Sequence, residues 1–210
     1  MAARARRLRA TAELSLFAPF DEAATSAAGE AIVSDGGDVR LYRAWLPGEP
    51  ADALLAAIRA RTVWHQERRR MYDRFVDVPR EQAWYGDDRE GGWPDDLERV
   101  RRDLEALTGA PFAFVLLNRY RDGKDSVAWH SDHETPGLAQ PVIGSLTLGA
   151  TRAFDLRPKS DRRRVISIDL EHGDLLVMRG ATQEHWEHRV AKDRRIAGER
   201  INLTFRQQPE

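Results

Sequence analysis

Two hydrophobic periods divide the chain. Between residues 47 and 109 the apolar positions recur at helical spacing. In "PGEPADALLAAIRART", Pro47 to Pro50 stop the strand-like run "VRLYRAWL", and Ala53 to Ile58 continue as a helix. In "DLERVRRDLEALTG", Leu97, Val100, Leu104 and Leu107 line one helical face, and Gly109 stands where a C-cap belongs. From residue 112 the period shortens to two. "FAFVLLNRY", "VIGSLTLG", "AFDLR", "VISIDL", "DLLVMR" and "INLTFR" are short β-rich runs, separated by turn clusters such as "YRDGKDS", "RPKSDRRR" and "EHGD". Helices followed by many short strands predict an α+β architecture. The expected form is a double-stranded β-helix, or jelly roll, with the N-terminal helices packed on one face.

Residues 1 to 28 carry no sustained period and are rich in Ala and Arg, so a loosely ordered arm is expected there, with a single domain over 29 to 210. A chain of 210 residues with 41% hydrophobic positions has room for one well-buried domain. Lys and Arg number 33 against 34 Asp and Glu, a formal net charge of -1. Any nucleic-acid partner must therefore be held by a local basic patch, not by the field of the whole molecule. The absence of cysteine excludes disulfides, thiolate metal sites and a cysteine nucleophile. Metal chemistry is left to His and carboxylate. The start "MAARARRLRATAEL" lacks the apolar middle of a secretory signal, and no apolar run is long enough to span a bilayer. A cytoplasmic monomer without membrane contact is expected.

Chemistry concentrates in "DSVAWHSDHE", residues 125 to 134. In a strand, residues two apart share a face, so His130 and Asp132 project together while Ser131 turns away. His188, in "HWEHRV", follows after two further strands have had room to fold back. Two histidines and a carboxylate form the facial triad of non-haem Fe(II) oxygenases, and zinc accepts the same set. Taken alone, a His-x-Asp pair is as readily an exposed polar strand edge. The last strand weighs against that bland reading. In "GERINLTFRQ", Ile201, Leu203 and Phe205 alternate with Arg200, Asn202, Thr204 and Arg206. One face is apolar; the other places two arginines roughly 20 Å apart at Cα, close enough for their guanidinium groups to grip a small dicarboxylate from both ends. Asn118 and Tyr120 share a face and add hydrogen bonds at one end.

The blocks "PREQAWYGD", "NRYRDGKDSVAWHSDHE", "SLTLGATRAFDLR", "HGDLLVMRGATQEHWEHRV" and "RINLTFR" together resemble the AlkB family of Fe(II)- and 2-oxoglutarate-dependent nucleic-acid dealkylases, most nearly its homolog 2 and 3 branch. The resemblance implies that His130, Asp132 and His188 ligate Fe(II). It also implies that Arg200 and Arg206, with Asn118, Tyr120 and Asn202, hold 2-oxoglutarate. The implied reaction consumes O2, yields succinate and CO2, and hydroxylates the N-methyl carbon of 1-methyladenine or 3-methylcytosine in DNA, with RNA as a further candidate, releasing formaldehyde. Such lesions pair poorly and are cheap to extrude from a duplex.

Substrate contacts are expected outside the triad. By resemblance, Glu134 faces the amino group of the flipped base. Trp129, Tyr85 and Trp84 are candidates for the pocket wall or lid. "ERRRMYDRFVDVPR" combines five arginines with Tyr72 and Phe75, as a DNA-gripping hairpin with an aromatic wedge would; a hairpin with a solvated basic face reads equally well. Arg157, Lys159, Arg162, Arg163 and Arg164 are candidate phosphate contacts, although a charge run of this kind is more often a solvated loop. Two features depart from the family: His133 replaces a usual acidic residue, and "GDDREGGW", Gly86 to Trp93, is short for a lid over the substrate. His65, His172 and His185 read as surface or packing residues. Two alternatives carry different functions: an AlkB-like oxygenase of a protein or small molecule, and an inactive module that binds modified nucleic acid. The intact triad and both arginines argue against the inactive module.

Overall fold

The computed structural model describes residues 28–71, 74–132 and 141–207. The predicted arm, apart from Ala28, lies outside these residues, as do Tyr72, His133 and Glu134. In chain order, β1 (Glu30–Val33) and β2 (Asp38–Tyr42) precede α1 (Gly48–Arg61). There follow β3 (Arg68–Met71), β4 (Arg74–Asp77), β5 (Glu81–Gly86) and α2 (Asp95–Thr108). The remainder is β6 (Phe114–Tyr120), β7 (Val127–His130), β8 (Ile143–Gly149), β9 (Arg152–Pro158), β10 (Ile166–Leu170), β11 (Leu175–Arg179), the short α3 (Thr182–His185), β12 (Trp186–Val190) and β13 (Arg200–Arg206).

Both predicted helices form, for the expected reasons. Asp95, Asp96 and Glu98 load the first turn of α2 with negative charge, which the helix N-terminus favours. Gly109 ends it in the left-handed conformation at φ 69°, its N–H returning to the Glu105 carbonyl. The strands make a seven-stranded sheet in the order β1-β2-β11-β8-β13-β6-β5 and a four-stranded sheet in the order β10-β9-β12-β7. A separate hairpin joins β3 to β4.

The large sheet separates two cores. On one face, Leu54, Ile58, Leu97, Val100 and Leu104 of the helices pack against Val115, Leu117, Leu146, Leu203 and Phe205. The fit is close: a Cβ at Gly144 would stand 2.4 Å from Leu104 Cδ2, so a larger residue there would press on the buried Leu104 side chain. On the other face, Leu41, Ile143, Leu176 and Met178 meet Phe154, Leu156, Ile168, Trp186 and Val190 of the small sheet. Antiparallel pairing, two facing sheets and helices on one face match the predicted jelly roll. Alternation assigns the positions between the helix-facing residues to the space between the sheets. Along β13 that means Arg200, Asn202, Thr204 and Arg206; along β6, Leu116, Asn118 and Tyr120.

Candidate active site

Between the two sheets a cavity of about 790 Å³ opens, lined on the large sheet by polar residues at alternate positions. β13 and β6 are hydrogen-bonded neighbours whose register sets Arg200 opposite Tyr120 and Asn202 opposite Asn118. The predicted dicarboxylate wall is therefore assembled by pairing alone. All four of these residues line the cavity and are buried.

The opposite wall carries His130, Asp132 and His188, whose potential ligand atoms lie within 4.8 Å of one another. His130 and His188 are direct partners across β7 and β12. Four strands, not the expected two, intervene between Asp132 and His188 in the chain. Asp132 also sits just past the end of β7, so the predicted one-strand clamp is a strand end plus a following turn. Ser131 does turn away, donating its hydroxyl to the Trp186 carbonyl at 2.8 Å. Asp132 Oδ1 stands 3.6 Å from His130 Nε2, and Oδ2 stands 3.7 Å from His188 Nε2. Metal–ligand bonds of about 2.1 Å span at most about 4.2 Å, so one ion can touch the carboxylate and either imidazole. His130 Nδ1 donates to the Ala128 carbonyl at 2.9 Å, which leaves the Nε2 lone pair for a metal.

The charge states suit ligation. Burial lowers the His188 pKa to about 4, so its imidazole is neutral at pH 7. For Asp132, burial alone would push the carboxyl up, but the neighbouring His188, Arg206 and His130 outweigh it and hold the group below its ordinary value. Arg206 Nη2 donates to Asp132 Oδ1 at 3.0 Å, joining the arginine strand to the triad. At the other end, Arg200 Nη2 donates to Thr147 Oγ1 and Asn202 Oδ1, while its buried Nε has no partner. A cation buried to 1% exposure with an unfilled donor fits an anionic ligand.

The predicted substrate residues divide. Trp84 lines the cavity, but Tyr85 does not: adjacent strand residues face opposite ways, and Tyr85 packs with the helices, its hydroxyl 3.1 Å from Thr62 Oγ1. The segment from Gly86 to Trp93 reaches both sides of the sheet: the Arg89 guanidinium carbon stands 5.3 Å from the ring centre of Trp84, which lines the cavity, while Trp93 stacks on Phe205 at 6.2 Å on the helix side. Trp129 borders the cavity, yet its ring is clamped between the guanidinium carbons of Arg157 at 4.0 Å and Arg189 at 4.5 Å. Arg157 itself pairs with Glu187 at 2.6 Å and is spent on the outer face of the small sheet, not on the cavity. Phe75 is 65% exposed on the β3–β4 hairpin. Arg164 pairs with Asp35, Arg162 Nε stands 3.8 Å from Glu187, and Lys159 Nζ donates to the Gln183 carbonyl, so with Arg157 four members of the basic run are engaged within the protein.

Several lining residues escaped the sequence reading. Arg80 Nε and Gln82 Nε2 both donate to Asn118 Oδ1, at 2.8 and 2.9 Å. Their signal was available, since Gln82 and Trp84 alternate along β5 and Arg80 continues the period just before it. Met178 and Lys192 also line the cavity, and no local pattern marks them.

The chain is similar to known proteins. The model for the 2OG-Fe(II) oxygenase superfamily matches residues 38–206. Alpha-ketoglutarate-dependent dioxygenase alkB homolog 3 of Homo sapiens is 38% identical over 187 residues, covering 80% of this chain and 65% of that protein. DNA oxidative demethylase ALKBH2 of Homo sapiens is 37% identical over 160 residues, covering 66% of this chain and 60% of the relative. The chain thus spans just under two thirds of the length of these curated relatives. Among solved structures, OsALKBH1 aligns with a TM-score of 0.61 at 17% identity, over 80% of this chain and 97% of that one. A Pseudomonas putida prolyl-4-hydroxylase aligns with a TM-score of 0.57 at 16% identity, over 82% and 93%. At such identities the structural likeness speaks to the fold alone.

Proposed function

The chain belongs to the 2OG-Fe(II) oxygenase superfamily, and we propose that it oxidatively demethylates N-alkylated bases of the 1-methyladenine and 3-methylcytosine type in DNA, with RNA as a second substrate. The observation that carries this reading is a single cavity bounded by the His130, Asp132 and His188 triad, the arginine strand and the base of an Arg-rich hairpin. Glu67, Asp77 and Arg80, at the hairpin's root, line the same cavity. The similarity to a DNA oxidative demethylase supports a nucleic-acid substrate.

In this reading His130, Asp132 and His188 hold Fe(II). Fe(II) held there would supply, with O2 and 2-oxoglutarate, an oxidation in which 2-oxoglutarate loses CO2 and takes one oxygen atom to become succinate while the other oxygen enters an N-methyl C–H bond; the hydroxymethyl product would then release formaldehyde. The chain's own residues bind and orient. His188 arrives neutral and needs no deprotonation. Arg206, bonded to Asp132, marks the metal end of the cosubstrate site; Arg200, beside Tyr120 and Thr147, marks the far end and receives the distal carboxylate. Arg80 and Gln82 fix the amide of Asn118. Trp84 offers a flat surface for an extruded base.

The test is incubation with Fe(II), 2-oxoglutarate, ascorbate and oligonucleotides carrying either lesion, followed by quantitation of restored base and formaldehyde. Equal amounts of both are expected. Succinate formation without restored base would remove the nucleic-acid substrate and leave the oxygenase.

A further inference from the structure

Asp132 lies two residues beyond its neighbour His130, where β7 and its backbone ladder end. Arg206 of the large sheet holds its carboxylate, but the backbone there needs a further anchor. Two hydrogen bonds supply it, and both reach the segment around α3. The backbone N–H of Asp132 donates to Gln183 Oε1 at 2.8 Å, and Ser131 Oγ donates to the Trp186 carbonyl at 2.8 Å. Gln183 is buried, and its Nε2 donates to Met178 Sδ at 3.4 Å, which sets which way round the amide stands. The segment is itself anchored. Thr182 Oγ1 accepts the Asp38 N–H at 3.0 Å and donates to the Arg179 carbonyl at 2.5 Å, and Lys159 Nζ caps the Gln183 carbonyl at 2.9 Å. A neutral acceptor suits the position, since a carboxylate there would repel the buried Asp132 side chain.

We infer that Gln183, aided by Ser131, is a positioning residue for the carboxylate metal ligand. α3 works as a splint, fixing Asp132 towards His130 and His188 where the strand has run out. The inference rests on the assignment of those three residues as metal ligands. Partners behind metal ligands set affinity by fixing ligand orientation, and their loss costs about 10- to 100-fold in binding.

The full chain is titrated with Mn(II) alone, under conditions where circular dichroism reports each variant folded. Gln183→Leu keeps the volume and removes the acceptor. It is expected to weaken Mn(II) binding about 10-fold or more and to speed amide hydrogen exchange at Asp132, with exchange along β13 unchanged. A purely structural glutamine would lower the unfolding temperature without moving either readout. Ser131→Ala removes the second bond at a half-buried site; a loss of about fivefold is expected, the worth of one hydrogen bond. It decides the matter if Gln183→Leu does not fold. His188→Ala is measured alongside. If it loses Mn(II) while the folded Gln183 and Ser131 variants bind as wild type, the splint is refuted and the triad stands. If His188→Ala binds as wild type, the ligand assignment falls and the splint falls with it.

Discussion

Arg200 is a cation that the fold buries before any anion is supplied, and replacing it separates stability from function. Its side chain is 1% exposed, and its bonds run to Thr147 and Asn202, both neutral. Its guanidinium carbon lies 5.3 Å from the Tyr120 ring centre. Among the described residues no carboxylate pairs with it, and burial pushes its pKa from 12.5 down to about 10. Each unit is worth ~1.4 kcal/mol, so the buried charge costs the ligand-free chain about 3 kcal/mol. The sign follows from the two states. At pH 7 both folded and unfolded chains carry the proton, the folded one less tightly, so the cost is fully present and is relieved only as pH rises through the folded value. Arg200→Met keeps length and stem but removes the charge. The ligand-free variant should unfold no more easily than wild type, and up to about 3 kcal/mol less easily, as buried charges often exchange for apolar groups without loss. The cosubstrate reverses the order. With Mn(II) present, 2-oxoglutarate at 100 times its Kd should stabilise wild type by ~2.7 kcal/mol and the variant by little or nothing. Urea unfolding with and without 2-oxoglutarate measures both arms. A variant that loses stability without ligand, or keeps the wild-type gain with it, would refute this account of Arg200.

Three further outcomes are expected. Phe75→Ala, at an exposed hairpin position, should change stability by less than about 0.5 kcal/mol yet lower turnover on duplex relative to single-stranded oligonucleotides; an unchanged ratio removes the wedge role. Gly144→Ala crowds the buried Leu104 side chain and should cost about 1–3 kcal/mol, read from chemical denaturation. Glu199 accepts from Arg59 at 2.6 Å and from Arg119. Burial would raise its pKa, but these arginines hold it below the ordinary value of 4.5. Its contribution to stability is therefore present above that value and lost as pH falls through the folded one. Glu199→Gln should narrow the gap in unfolding temperature between pH 7 and pH 3.5, and an unaltered gap would show the pair to be inert.

What was legible in the chain follows from the reach of each periodicity. The helices and β2, β6, β8, β11 and β13 of the large sheet were read correctly because their apolar faces repeat within a few residues, whereas its edge strands β1 and β5 were not marked as strands. Period-two alternation also predicts which residues share a face. It does not say which face of the sheet looks into the cavity, and Trp84 and Tyr85 were grouped as if both did. The stretch from Gly86 to Trp93 shows the same limit: its length was legible, but not that Trp93 finds a partner in Phe205, more than a hundred positions away. Gln183 had no local signal at all, since its bond to Asp132 spans 51 positions.

The two halves of the site therefore differ in how they are encoded. The cosubstrate wall lies on β6 and β13, each of which shows its alternation within seven residues, so pairing in register suffices to assemble Asn118, Tyr120, Arg200 and Asn202. The triad is of another kind. β7 supplies His130 and then stops, β12 supplies His188 across an interrupted register, and Asp132 depends on a glutamine from a one-turn helix. A two-residue motif at a strand end has no period to fix its geometry. What makes His-x-Asp a metal site in this chain is the long-range scaffold around it, and changes at Gln183 should be able to silence the motif while leaving all three of its ligands in place.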